Sequence, residues 1–391
     1  MEDKSVINTG LRGVVVASTK ISDVNGDTGK LMYRGYLAKD LAKKATYEEV
    51  AHLLLFEKLP NKNELDAFRR TLAGYAILPD GVLEILKCIP ANTHPMDMLQ
   101  SLVALLSAFD KSAPGKTRED FMETGVRLLA RMPGVIAAFH RLRSGKAPLA
   151  PLPELSLAGN FLYMLTGAKT DEEVSRFFDT ALLLHAEHSF NASTFTARQV
   201  ASTRAHLYAC ISAAIGSLSG ELHGGANARV MEMLQEIGSV EAVEAYVKKM
   251  LDEGKLIMGL GHAVYRVDDP RAHILAPMSR EMGIKTGQPR WYDISKKLEE
   301  KGKAAFRERK KTEIFVNVDF YSASLYHAMG IPVDLFTPVF AMARVSGWVA
   351  HVIEERFAGA SEKPVLYRPE SEYIGEYCGP EECAFVPMEE R

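Results

Sequence analysis

The chain has 391 residues, room for two to three domains at a prior of ~150 residues each, or for one large domain carrying an insertion. Hydrophobic residues make up 47% and charged residues 25%, an ordinary globular balance that excludes long disorder and collagen- or mucin-like chains. With 47 Lys and Arg against 50 Asp and Glu, the net charge of −3 advertises neither nucleic acid nor an anionic membrane, so any anionic ligand must be held by local clusters.

Residues 11–36, rich in Val and Thr and interrupted by NGDTG, predict a β-hairpin near the N-terminus. From Tyr36 onward the apolar positions recur at helical spacing, as in YEEVAHLLLFEKL, MDMLQSLVALLSAF and EDFMETGVRLLARMPGVIAAFHRL, so the class is all-α. Breakers at Leu59-Pro60-Asn61, Leu78-Pro79-Asp80-Gly81, 146–153 and Gly220 divide the helices. Helical periodicity resumes unchanged on both sides of 146–153, so it is not read as a domain boundary. Charge density rises between Gly224 and about Lys311, which predicts a smaller, more solvated unit inserted into a larger helical one. The longest uninterrupted apolar runs are helix-core sized, short of the ~18 residues of a membrane span. Four scattered cysteines and an N-terminus without a basic start and apolar run predict a reduced, cytoplasmic protein.

Several polar residues lie where a core does not need them. His188, in HAEHSFNASTFTAR, precedes Asn191 at a prospective helix cap. His223, in SGELHGGANARV, is set among glycines that let backbone approach a ligand. His262, in MGLGHAVYRVDDPRAHIL, has glycines on one side and Arg266 and Arg271 on the other, a setting for hydrogen bonding a carbonyl beside carboxylates. Asp319, in IFVNVDFYSAS, is embedded in apolar residues that raise a carboxylate's pKa, as a carbon-acid base requires, and Asn317 could orient it. Each also has a structural alternative: a satisfied cap histidine, a plain inter-helix turn, a surface arginine, a buried capping aspartate. Arg344 and Arg368 taken singly read as ordinary ion-pair residues. His185 and His188 flank Glu187 at i, i+3, but no HExxH or Cys-rich set completes a metal site. The basic run KGKAAFRERKK at 301–311 could grip phosphates or be a solvated helix face. There is no Walker A sequence, no GxSxG elbow and no dinucleotide fingerprint.

Taken together and in order, LHGGANARV, GLGHAVYRVDDPR and NVDFYSA resemble the catalytic signatures of the citrate synthase family, and the similarity runs from the GDTGKLMYRGY hairpin to RPESEYIG. The resemblance implies a large helical domain, 1–223 and 326–391, with a small helical domain, 224–325, closing over the substrates, in a homodimer of the compact bacterial and archaeal type. It implies citrate synthesis from acetyl-CoA, oxaloacetate and water through an enol or enolate. Asp319 would take the methyl proton, His223 would hydrogen-bond the thioester oxygen, and His262 would polarise the oxaloacetate ketone. His188, Asn191, Arg271 and Arg344 would hold oxaloacetate, with Arg368 reaching in from the other subunit. Leu256, Ile257, Gly259, Leu260, Gly261, Arg266 and Asn317 would lie along the acyl-CoA. No permanent cofactor, metal, nucleic acid or membrane partner is implied.

One departure bears on specificity: Glu187-His188-Ser189 stands where many citrate synthases have Asp-His-Glu, and EHSFNASTFTAR also resembles 2-methylcitrate synthases, which use propionyl-CoA. A methylene is worth only ~1–3 kcal/mol in an apolar pocket. A citryl-CoA lyase shares the scaffold, but 391 residues hold no ligase extension.

Overall fold

A computed structural model describes residues 9–11, 13–375, 385 and 387–390. Among them the secondary structure is sixteen α-helices and one three-stranded antiparallel sheet, β1 (Ser22–Asn25), β2 (Lys30–Tyr33) and β3 (Tyr36–Leu37). The hairpin is shorter than its Val-rich sequence predicts. Residues 14–18 form no strand and Val15 is 90% exposed, because β-propensity without a partner strand gives no ladder. The predicted turn is where expected, with Asn25 opposite Lys30.

Ten of the sixteen helices begin at a residue whose side chain accepts from a free backbone N–H group. The first half of the chain contains α1 (Ala38–Lys44), α2 (Tyr47–Phe56), α3 (Lys62–Tyr75), α4 (Asp80–Cys88), α5 (Pro95–Leu105), α6 (Arg118–Arg143), α7 (Leu157–Thr166) and α8 (Glu172–His185). Thr46, Asn61 and Thr117 cap α2, α3 and α6 with reciprocal bonds to the acid three residues on. The loop between α6 and α7 divides two helices that pack directly on each other. Then come α9 (Ala192–Ser202), α10 (Leu207–Ser219), α11 (Ala226–Ile237), α12 (Val243–Asp252), α13 (Pro270–Lys285), α14 (Arg290–Lys310), α15 (Val318–Ala328) and α16 (Phe336–Arg356).

α16 organises the core. Every residue from Phe336 to Glu355 is buried, and α2, α6, α8, α9 and α10 pack around it. Together with the preceding turn it is long and apolar enough by composition to cross a membrane, yet it is wholly enclosed by protein, the position of a helix apolar on all sides at the centre of a core. Its few buried polar residues, Thr337, Arg344, Ser346, His351, Glu354 and Glu355, are therefore costly unless partnered or functional. α11 to α15 pack mainly on one another, α12 on α14 and α13 on α15, and touch the rest through α1, α8 and α16.

Candidate active site

The loops entering α9, α11, α13 and α15 bring the candidate residues to one region beside the middle of α16. Asn191 caps α9, accepting from Thr194 N–H at 3.1 Å, while its amide donates to Ser189 O and Thr194 Oγ1. Its hydrogen bonds thus shape the loop that carries His188. Ser189 has φ +50°, a left-handed conformation that a serine holds only under constraint. The constraint is Glu187, whose buried carboxylate accepts from Ser189 N–H, from Ser22 Oγ at 2.8 Å and from the His351 ring at 2.9 Å. Gly347 on α16 permits this, since a Cβ there would collide with Glu187 Oε2 and Ala186 O.

His262 and Asp319 are joined by a short piece of sheet-like pairing. Leu260 bridges Val316, Gly261 N–H donates to Phe315 O at 2.7 Å, and Asn317 N–H donates to Gly259 O at 3.0 Å. The Asn317 side chain donates to Gly261 O and accepts from Asp319 N–H at 3.0 Å, capping α15. Gly259 cannot be replaced easily: its φ is +79°, and a Cβ would lie 2.6 Å from the Phe320 ring.

The protonation of the two histidines follows from their neighbours. Ser193 N–H donates to His223 Nε2 at 3.2 Å, so Nε2 is an acceptor and the ring proton sits on Nδ1. Val264 and Tyr265 N–H groups donate to His262 Nδ1 at 2.9 and 3.1 Å, so its proton sits on Nε2. Burial lowers both rings to a pKa of about 4, aided at His262 by Arg271 and at His223 by Arg344, and both are neutral donors at pH 7. His188 is held well below its ordinary value by burial and Arg271, and its Nε2 meets Tyr265 Oη at 3.2 Å. Tyr265 also packs its ring 4.7 Å from that of His262.

Asp319 is fully enclosed. Desolvation raises its pKa to about 6, against the opposing pull of Arg271 and Arg344. Its Oδ1, like Nη1 of Arg344, is buried without a hydrogen-bond partner among the described residues. A buried carboxylate with a free lone pair and a buried guanidinium with a free donor each call for a partner. Arg344 donates Nε–H to His185 O at 2.7 Å and is lowered to about 10 by burial, with Arg271 adding to the effect. Arg271 makes a two-point pair with Asp269, which caps α13, and is 3% exposed. Two buried guanidinium groups thus act on a raised carboxylate and on two neutral imidazoles.

The structure does not bring every candidate here. Arg368 is exposed on the segment after α16. The Leu256 side chain is 78% exposed, Ile257 is buried in the core, and Arg266 points outward beside Asp27 at 3.5 Å. Of the 301–311 run, Lys301, Lys303, Arg307 and Arg309 are ion-paired with acids, the behaviour of a solvated helix face. Sequence reasoning overlooked Tyr265, Ser193 and Asp269 as site residues. Tyr265 and Asp269 lay inside the GHAVYRVDDPR segment, whereas nothing in the sequence pairs Ser193 with His223. Among the described residues no cluster of three or more His, Cys, Asp or Glu could hold a metal ion.

The fold and site define a helical protein in which a buried carboxylate of raised pKa lies under the field of two buried arginines that also act on neutral imidazoles. The family model described as citrate synthase, C-terminal domain, matches residues 10–370, and the chain belongs to the citrate synthase family. It is 44% identical to a citrate synthase of Haloferax volcanii, covering 98% of this chain and 99% of that one. It is 38% identical to a 2-methylcitrate synthase of Shewanella oneidensis over 95% of this chain and 96% of that protein. Its fold matches citrate synthase from the thermophilic archaeon Thermoplasma acidophilum, solved in ternary complex with carboxymethyl coenzyme A and oxaloacetate, with a TM-score of 0.89 and 30% identity over 99% of this chain and all of that one.

Proposed function

We propose that this chain condenses acetyl-CoA with oxaloacetate and water to give citrate and CoA. The observation that carries the reading is the enclosed Asp319, with its open Oδ1, under the same arginines that act on two imidazoles whose tautomers are fixed by backbone N–H groups. Asp319 accepts a methyl proton of acetyl-CoA while His223 Nδ1–H stabilises the negative charge growing on the thioester oxygen. His262 Nε2–H polarises the ketone of oxaloacetate, and the enol carbon adds to it, leaving an alkoxide that takes up a proton. Water then cleaves the citryl-CoA thioester, releasing CoA. His188, Arg271 and Arg344 hold the oxaloacetate carboxylates, and Arg368 from a second subunit completes the clamp.

The same proposal makes residues 224–325 a small domain that closes over the acyl-CoA and excludes water, supported by the mutual packing of α11 to α15. The 256–261 loop, tied to Asn317, would then line the acyl-CoA, with Arg266 at its outer end. A cytoplasmic homodimer completes the picture, and the free thiols of Cys88 and Cys210 fit a reducing setting.

Thiol release with oxaloacetate and each acyl-CoA tests the activity. Acetyl-CoA is expected to be preferred, with propionyl-CoA turned over about tenfold less efficiently, the scale of one methylene in an apolar pocket. The likeness to the 2-methylcitrate synthase supports the second reading, and a propionyl-CoA preference would establish it. Silence with both would remove the synthase assignment.

The pH profile follows from the base. Asp319 must be ionised to act, so kcat/KM for acetyl-CoA should fall with unit slope as pH drops below about 6, while His223 and His262 stay neutral down to about 4. An acid limb at an ordinary aspartate value near 3.8 would mean that Asp319 is not the group being titrated.

A further inference from the structure

Behind the site lies a chain of buried polar contacts that catalysis does not use directly. It begins at Tyr367, the neighbour of Arg368, whose Oη donates to Glu355 Oε2 at 2.7 Å and whose ring lies 5.9 Å from that of Phe195. Glu355 pairs with Arg198 Nη2 at 2.7 Å. Arg198 Nη1 contacts Glu354 at 2.8 Å and His351 Nδ1 at 3.0 Å, and His351 Nε2 meets Glu187 at 2.9 Å. Glu187 holds the strained Ser189 and so sets the loop of His188. Arg198, His351, Glu187, Glu354 and Glu355 are each under 9% exposed, so the contacts form in a low dielectric and a change at one member is not absorbed by water.

We infer that Tyr367, Arg198 and His351 are positioning residues that couple the two active sites of a dimer, joining the arm that carries Arg368 to the His188 loop of the same subunit. The inference rests on the proposed reading that Arg368 enters the partner's site. Oxaloacetate held by His188 in one site then favours the arm position that completes the other site, and by linkage the converse holds.

Tyr367→Phe tests this, since it removes the phenol contact to Glu355 while keeping the ring against Phe195. Hybrid dimers with a single working site are made by placing Asp319→Ala in one subunit. When the Asp319→Ala subunit also carries Tyr367→Phe, the working site receives the altered arm, and its KM for oxaloacetate should rise about tenfold with kcat within about twofold. When Tyr367→Phe is placed in the other subunit, the working site has an unaltered arm but an altered network, and its KM should rise roughly fivefold. Glu355→Gln should repeat both effects. A rise only in the first hybrid would overturn the coupling and leave Tyr367 as a simple anchor. A rise only in the second would show that the arm does not cross, overturning the reading beneath it, and no rise in either would remove Tyr367 from both roles.

Discussion

Asp319→Asn is expected to lower kcat by ~10²–10⁴-fold while oxaloacetate affinity stays within about tenfold, because general-base catalysis by a positioned carboxylate is worth that much and the amide cannot accept the methyl proton. Oxaloacetate binding, followed by calorimetry, should survive, since its arginines are held by other partners, Arg271 by Asp269 and Arg344 by His185 O. Stability supplies the sharper discrimination. The carboxyl has a pKa of about 6 when folded and 3.8 as its ordinary value, so the folded state binds its proton more tightly. That contribution is fully present below 3.8 and is lost as pH rises through about 6. At pH 8 the ionised, enclosed carboxylate therefore weakens the fold, and an asparagine that never ionises should strengthen it by up to ~3 kcal/mol. The gain should vanish near pH 3.5, a difference readable in denaturant midpoints at the two pH values. A structural capping aspartate predicts the opposite, a loss of stability at pH 8, and that result together with retained turnover would remove Asp319 from the chemistry.

The raised base is legible in the sequence for a local reason. Phe315, Val316, Val318 and Phe320 surround Asp319 within five positions on either side, so burial follows from the segment itself. His262 is readable for the same reason, because its loop contains the glycines that let it turn back on Val316. What the sequence conceals is contact at long separation. Ser193 fixes the tautomer of His223 from 30 positions away, and Glu187 meets His351 across 164. No periodicity or spacing encodes such pairs, which arise only when α9 meets the turn before α11 and the loop before α9 meets α16. The Val-rich N-terminal segment fails in the converse way: its local preference for strand is real, but the partner it needs is absent among the described residues, so 14–18 form no strand. The net charge of −3 hid the cationic site because Arg271 and Arg344 are each buried beside an acid or a carbonyl and come from helices far apart in the chain.

Mixing Arg368→Ala subunits with Asp319→Ala subunits should restore activity that neither parent has. Removing one arginine from a carboxylate clamp costs ~2–5 kcal/mol, so at oxaloacetate concentrations below the raised KM the Arg368→Ala dimer is nearly silent. The Asp319→Ala dimer lacks the base at any concentration. In a hybrid, the site built on the Arg368→Ala subunit keeps its own Asp319 and receives Arg368 from the partner, and the other site lacks both. Random reassociation after mild denaturation makes half of the dimers hybrids with one intact site each, so about a quarter of the unmodified activity should return. If the mixed preparation stays as silent as its parents while size measurements show that hybrids have formed, the site is confined to one subunit, and the oxaloacetate clamp must be completed by residues of the same chain.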